Sequence, residues 1–125
     1  MLYLPQKLFP FIEEYKKVFD VTDKTIFAYN NVIYCNEPLP FHLETHERRH
    51  LIRQNKIGAD IWVTNYLRNP IFRLKEEVIA YREQLECIKD RNERDKLRVQ
   101  CAKDLSSTLY GGICTYKDAY NLLLK

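Results

Sequence analysis

The order of apolar and polar residues predicts a mainly helical chain with one small antiparallel sheet. Two runs rich in β-branched and aromatic residues, 25–29 and 32–35, flank Asn30 and Asn31. Asparagine tolerates the positive φ angles that a tight turn requires, so we expect these runs to form a β-hairpin. Ahead of the hairpin, apolar residues recur at helical spacing over 8–19 and predict a helix.

Downstream of the hairpin, apolar residues three and four positions apart predict further helices. Gly58 suits the end of the first, and Asn69 with Pro70 suits the start of a later one, as N-cap and first helical residue. The predicted helices are 41–56, 60–69, 70–90 and a last one capped by Thr115 and running to Leu124, whereas 90–104 is an exposed helix or turn. In the predicted helix 60–69, the residues expected to be buried are Ile61, Trp62, Tyr66 and Leu67.

A length of 125 residues suffices for one modest core and is too short for two, so a single domain is predicted. We divide it into an N-terminal helix and hairpin (1–40), helices with candidate metal ligands (41–90) and C-terminal helices (91–125). The predicted fold class is therefore α+β and mainly helical, with a small antiparallel hairpin or sheet beside the helix that begins near residue 41.

Composition and charge exclude several classes of function. Apolar residues make up 46% and charged residues 30%, as in ordinary globular proteins, and no apolar run approaches the length of a membrane span. The net charge of +3 is mild, so no nucleic-acid partner is expected. The N-terminal sequence has no charged leader before an apolar core, which predicts no secretion signal. The four cysteines lack C-x-x-C spacing, so we interpret them as reduced thiols in a cytosolic setting.

The candidate chemistry lies in His46-Glu47-x-x-His50, within the predicted helix 41–56. Residues four apart lie on one helix face, so His46 and His50 can bind one divalent metal, and zinc is well matched to imidazole ligands. Glu47 follows the first ligand and can take a proton from water that the metal has acidified. The motif is typical of zinc peptidases, although a solvated helix that happens to carry two histidines is the alternative interpretation.

A catalytic zinc site uses three protein ligands and one open position, so a third ligand is needed. Lys56 stands six residues after His50, where a metzincin would have a histidine, and this excludes that class. In the thermolysin-like arrangement the third ligand is a glutamate of a later helix. Glu77 is the best candidate because Ala80, one turn on, lets two helices approach closely, while Glu76 would face away. The alternative is that both glutamates are surface residues.

Other polar residues near the motif have two interpretations each. His42 lies one turn before His46 and is predicted to support or cap the site rather than to bind the metal. Three arginines are predicted to lie on a solvated face away from the metal, the alternative being that one of them binds an anionic group of the substrate: Arg48, Arg49 and Arg53.

Tyrosine hydroxyls are candidates for stabilising the oxyanion that forms when an amide is attacked. The tyrosines considered are Tyr66, Tyr81, Tyr110 and Tyr116. Tyr81, next to the Glu77 turn, and Tyr110, in a glycine-containing loop, are the two preferred candidates, with core packing as the alternative role for both.

From about residue 43 to its end, the chain resembles small zincin-like proteins encoded by tailed bacteriophages and prophages. The features that carry the resemblance are His46-Glu47-x-x-His50 with Gln54, Tyr66-Leu67-x-Asn69-Pro70-x-Phe72-Arg73-Leu74, Glu77-x-x-Ala80-Tyr81-Arg82-x-Gln84 and Leu105-Ser106-Ser107-x-Leu109-Tyr110-Gly111-Gly112. The resemblance implies a minimal gluzincin-type core, in which zinc is bound by His46, His50 and Glu77. It also implies that Glu47 is the catalytic base and that the substrate is a peptide or protein.

The sequence thus predicts a zinc-dependent, metallopeptidase-like hydrolase of a phage, with Glu47, Tyr81 and Tyr110 as catalytic residues. The alternative is a virion structural or assembly protein that retains a zincin fold, with zinc structural or absent. The small domain favours the alternative because it offers little surface for an extended peptide, whereas the intact Glu47 favours the enzyme. Either function is expected in the host-cell cytoplasm or the virion, with other virion proteins as further partners and no membrane.

Overall fold

Asn30 and Asn31 turn the chain between two antiparallel strands, as predicted. Their φ angles are 50° and 66°, the left-handed values that a two-residue hairpin turn needs. The strands are β2 (Phe27–Tyr29) and β3 (Val32–Tyr34), with Ala28 opposite Ile33. A third strand, β1 (Leu2–Leu4), pairs in parallel with β3 and was not predicted. The sheet order is β1-β3-β2, so β2 is an edge strand.

The computed structural model describes residues 2–124, and over these residues the chain is mainly helical. The helices are α1 (Ile12–Lys16), α2 (Phe41–Ile57), α3 (Ala59–Arg68), α4 (Pro70–Glu86), α5 (Arg91–Leu105) and α6 (Tyr116–Leu123), with 3-10 turns at Gln6–Leu8 and Thr108–Tyr110. The predicted capping residues are confirmed: the Asn69 side chain accepts hydrogen bonds from two backbone N–H groups of α4, and Thr115 accepts one from α6. None of these helices is both long and apolar enough to span a bilayer.

The predicted helix over 8–19 is wrong in length, because only residues 12–16 form an α-helix. A proline disfavours the helical conformation of the residue before it, and Phe9, which precedes Pro10, is extended with a ψ angle of 121°. Phe9 instead packs into the core, where its ring stacks on that of Phe27 at a centroid distance of 4.3 Å. Tertiary packing and Pro10 therefore shorten this helix.

Two further expectations about burial need correction. Ile61 was expected in the buried set of α3, but it is 59% exposed, while Trp62 and Tyr66 are buried as predicted. The 90–104 segment is a helix, yet its last turns are less exposed than expected, since Cys101 and Leu105 are buried against α4 and α6. All four cysteines are free thiols, in agreement with their interpretation.

Two larger clusters of buried side chains and a small one form the core, and the small one joins the sheet to α2 through Ala28, Ile33 and Leu51. An aromatic cluster joins the N-terminal segment, the sheet and α3, and an aliphatic cluster joins α4, α5 and α6. The side chain of Tyr110 packs against both clusters. Helix α2, which carries the His-Glu-x-x-His motif, packs against α4 on one side and against β2 on another. The motif is therefore held inside the domain, between the sheet and a second helix.

Gln54 fastens α2 to the edge strand β2. Its side-chain NH2 group donates to the backbone carbonyl of Ala28 at 2.7 Å, and the Asn30 N–H donates to its side-chain oxygen at 3.0 Å. These two backbone groups point away from β3 and would otherwise lack a strand partner. Gln54 is only 1% exposed, so its side chain lies in the interior. Its amide group therefore supplies the hydrogen bonds that a further strand beside β2 would otherwise make.

Replacing Gln54 with leucine is expected to lower the free energy of unfolding by about 1–3 kcal/mol, because the buried Ala28 carbonyl and the partly buried Asn30 N–H lose their partner. Leucine fills a similar volume, so the decrease in the free energy of unfolding comes from the lost hydrogen bonds and not from a cavity. Chemical denaturation measures the change. The matched control is Asn55→Leu on the same helix, where an exposed bond to Asn31 is lost and a change within about 0.5 kcal/mol is expected. Equal losses in the two variants would contradict this role for Gln54.

Candidate metal centre

Helices α2 and α4 bring His46, His50 and Glu77 together in the interior. The histidines are one helical turn apart on α2, and the glutamate projects from α4, which packs alongside. One ligand atom from each residue lies within 4.8 Å of the others. The three residues are 3%, 4% and 2% exposed, so this is not a chance group of surface side chains. The structure thus brings together the three residues that were predicted from the sequence as metal ligands.

The Glu77 carboxylate faces both imidazoles. Its Oε1 lies 3.0 Å from His46 Nε2, and its Oε2 lies 3.1 Å from His50 Nε2. Burial raises the pKa of the Glu77 carboxyl, but attraction to His50 and hydrogen bonds with both histidines outweigh it and hold the pKa well below its usual range. Glu77 is therefore an anionic donor that faces two nitrogen donors.

Gln84 orients the His46 ring. The Gln84 side-chain NH2 donates to His42 Nδ1 at 2.8 Å, which turns its oxygen towards His46 Nδ1 at 2.9 Å. His46 then donates from Nδ1, as in the tautomer that a metal ligand requires, whereas its contact with Glu77 in the metal-free chain needs a proton on Nε2 that a bound metal would replace. His42 lies behind Gln84 and outside the triad, where a supporting residue was expected.

Tyr66 and Trp62 support the other two ligands. The Tyr66 hydroxyl donates to Glu77 Oε2 at 2.5 Å, so this phenol is already engaged. The His50 ring packs against the Trp62 indole at a centroid distance of 5.2 Å. Within the part of the chain that the structure describes, His50 Nδ1 is the one fully buried side-chain nitrogen or oxygen without a hydrogen-bond partner. Packing rather than hydrogen bonding therefore holds the His50 ring.

The donor set fits a divalent metal such as zinc. Two imidazole nitrogens and one carboxylate oxygen are the three protein ligands of one common class of catalytic zinc site, which keeps a fourth position open. The three donor atoms lie within 4.8 Å of one another, and the negative charge of Glu77 suits a cation placed between them. No rearrangement of the helices is needed to bring the ligands within reach of one ion.

Glu47 lies beside the triad in a cavity of about 370 Å³. It is 7% exposed, and its Oε2 lies 4.0 Å from His46 Nε2. No hydrogen bond to its carboxylate exists within residues 2–124. Burial raises its pKa to about 8, with a further increase from the Glu77 charge that attraction to His46 partly offsets. A carboxyl group with such a pKa can both accept and donate a proton near neutral pH.

Tyr81 and Tyr110 line the same cavity, and their hydroxyl oxygens are 2.6 Å apart. One hydroxyl donates to the other, so the second keeps its proton for another acceptor. Burial and the charge of Glu77 raise the pKa of both phenols well above the ordinary value, and both stay protonated at neutral pH. Tyr116, the remaining candidate, is 42% exposed and does not line the cavity.

Glu76 faces away from the triad, as expected, but it is buried rather than on the surface. Arg53 donates to its carboxylate through Nε at 3.0 Å and Nη2 at 2.9 Å, and the Trp62 indole N–H donates at 2.9 Å. Arg53 lies away from the metal ligands as predicted, but with a side chain only 23% exposed it is less solvated than expected. Arg48 pairs with the carboxylate of Glu44 and Arg49 with that of Glu83, and none of the three arginines lines the cavity.

Several supporting residues carried no predicted role. Gln84 lies seven positions after Glu77, hence two turns along the same face of α4, and this spacing could have identified it. The ion pair between Arg53 and Glu76 had no such indication, because it depends on how α2 and α4 cross.

Comparisons with protein-family models, with curated proteins and with solved structures found no match. The resemblance to phage zincin-like proteins therefore stays a prediction, and function must be inferred from the geometry of this centre.

Proposed function

We propose that this protein is a zinc-dependent hydrolase of peptide or related amide bonds, built on a minimal zincin-like core. The observation that carries the proposal is the buried triad with the unpartnered Glu47 carboxylate beside it in one cavity. A purely structural metal needs ligands but no adjacent base, and a buried carboxylate without a partner costs stability unless it has a use.

The ligands proposed for the metal are His46, His50 and Glu77. A bound zinc ion would supply a Lewis acid that polarises a carbonyl and lowers the pKa of water. Gln84 accepts a hydrogen bond from His46 Nδ1, which would leave Nε2 to the metal, and the Tyr66 hydroxyl donates to the Glu77 carboxylate. These contacts would fix the ligands before any substrate arrives.

Glu47 would act as the general base and then as the general acid. Its carboxylate takes a proton from the attacking water and later delivers that proton to the departing amine nitrogen. The free proton of the Tyr81–Tyr110 hydroxyl pair supplies a hydrogen bond to the oxyanion that forms on the carbonyl. Each role uses a side chain that lines the same cavity.

The position of the sheet supports the zincin-like assignment. Strand β2 lies against α2, and the glutamate-bearing α4 packs on a different side of that helix. This is the arrangement implied by the motif and by the resemblance to zincin-like phage proteins.

Protein purified without added metal is expected to contain about one zinc ion per chain, because three buried ligands surround the proposed position. His46→Ala should lose the metal, and mass spectrometry measures the content of both proteins. The matched control is His42→Ala, which removes an imidazole one turn away and outside the triad, and which should retain the metal. A folded wild-type protein without zinc, even after zinc is supplied, would contradict the proposal. Zinc without cleavage of any peptide in a library would favour a structural metal.

A further inference from the structure

Two acidic residues outside the metal centre line the same cavity. Asp20 follows the N-terminal helix, and Asp104 lies in the last turn of α5. Together with Glu47 and Glu77, four carboxyl groups line this space, and the basic residues among the described residues that do so are Lys24 and the two proposed ligands His46 and His50. The cavity therefore contains two acidic residues more than the proposed metal ligand Glu77 and the proposed base Glu47.

Neither aspartate is neutralised by a cation within the described chain. The Asp20 carboxylate accepts a hydrogen bond from the Thr108 hydroxyl, and the Asp20 N–H donates to the Thr108 carbonyl at 3.3 Å. These bonds join the two walls of the cavity but leave the negative charge in place. Asp104 accepts one bond at 3.0 Å, from the neutral Gln100 amide. Partial burial raises the pKa of the Asp104 carboxyl, so a bound cation would relieve its desolvation.

Both aspartates line the cavity near the tyrosine pair, and Asp20 is bonded to Thr108 in the 3-10 turn that also carries Tyr110. The charge of Asp104 is among the causes that raise the pKa of Tyr81, which places this aspartate near the paired tyrosine hydroxyls. Glu47 is an independent sign that a ligand enters, since it is only 7% exposed and lines the cavity, yet its carboxylate accepts no hydrogen bond within the described chain. A substrate amide held near the tyrosines and Glu47 would have its neighbouring groups beside the aspartates.

The cavity is suited to a short segment of substrate. Its volume of about 370 Å³ lies at the lower end of the range for small-molecule pockets, roughly 300–1,000 Å³. The outward carbonyl of Ala28 on the edge strand is already bonded to Gln54, so an added peptide strand cannot pair there. Charge at one end of a short segment would therefore contribute strongly to its recognition.

Resting on the proposed hydrolase function, we propose that the substrate carries an ammonium or guanidinium group held by Asp20 and Asp104 beside the cleaved amide. The positive charge could come from a free amino terminus or from a lysine or arginine side chain. Both sources present the same chemistry to the two carboxylates, and the experiment below separates them.

Binding can be measured without catalysis, because Trp62 is the only tryptophan and lines the cavity. Its fluorescence is followed while four tripeptide amides are added to metal-free protein: acetyl-Ala-Ala-Ala, the same peptide with a free amino terminus, acetyl-Ala-Lys-Ala and acetyl-Ala-Glu-Ala. At least one cationic peptide should bind about tenfold more tightly than the neutral one, and the glutamate peptide should bind most weakly. The cationic peptide that gains more identifies the source of the charge.

Asp20→Asn and Asp104→Asn should each reduce this preference several-fold while leaving the affinity for the neutral peptide unchanged. The matched control is Asp23→Asn, which removes an exposed carboxylate from the same segment but outside the cavity, and which should keep the preference. Equal affinity for cationic and neutral peptides, no binding of either cationic peptide, or an unchanged preference in both variants would overturn the inference. Zinc content and cleavage are measured separately. If peptides are cleaved but no charge preference is found, only this inference is overturned. If the charge preference is found but the protein neither contains zinc nor cleaves peptides, only the hydrolase proposal is overturned.

Discussion

Replacing Glu47 with glutamine should lower kcat for peptide cleavage by about 10³-fold, within the range that positioned acid–base groups contribute. The amide keeps the size of the carboxylate but cannot accept a proton from water. Zinc content and fold should persist, because Glu47 is not one of the three ligand residues and makes no hydrogen bond within the described chain. Steady-state kinetics on a cleaved peptide, with metal analysis of the same sample, measures the effect.

The same substitution should raise the stability of the metal-free protein at alkaline pH. The carboxyl of Glu47 has an ordinary pKa of 4.5, and burial raises it to about 8 in the folded chain. Folding therefore favours the protonated form, so the stability that this group contributes is lost as the pH rises from about 4.5 through 8. Glu47→Gln removes that loss, and thermal unfolding across this window should show a flatter pH profile.

Glu44→Gln is the matched control for both measurements. Glu44 lies on the same helix, accepts bonds from Tyr3 and Arg48 and does not line the cavity. Its substitution should leave kcat and the pH profile of stability unchanged. Cleavage that survives in Glu47→Gln at the wild-type rate would show that another group moves the proton, and the proposed mechanism would be wrong.

Local rules of sequence explain why the hairpin and the helix ends could be predicted. Asn30-Asn31, Asn69-Pro70 and Thr115 act through the backbone of their own neighbours, so their effects are visible without a fold. The two motif histidines are likewise fixed by helix geometry once residues 41–57 form α2. Strand β1 had no such local indication, because its pairing with β3 joins residues about 30 positions apart.

Residues that depend on contacts between elements could not be predicted in the same way. Glu77 was the preferred third ligand because Ala80 permits close packing, and the two helices do pack closely enough to place it against both histidines. Its neighbour Glu76 was predicted only to face away from the metal, and the crossing of α2 and α4 buries it against Arg53. Spacing along one helix shows which residues share a face, but it does not show which other element packs against that face.

Replacing Arg53 with methionine should lower the free energy of unfolding by about 3 kcal/mol, since breaking one side of a buried ion pair leaves the other charge without its partner. Glu76 is 1% exposed, and Arg53 supplies two of the three hydrogen bonds to its carboxylate. The third bond, from Trp62, cannot compensate the charge. Because Trp62 also packs on His50, zinc affinity should weaken in the same variant. Chemical denaturation and zinc titration measure the two effects.

Arg49→Met tests whether the effect comes from burial, because it makes the same change one turn earlier on α2. The side chains of Arg49 and Glu83 are 30% and 34% exposed, so the loss should stay within about 1 kcal/mol. Adding Glu76→Gln to Arg53→Met should recover much of the lost stability, since the buried charge is removed while the amide oxygen still accepts from Trp62. A double variant as unstable as Arg53→Met alone would mean that lost packing by the arginine side chain, rather than an uncompensated charge, causes the effect.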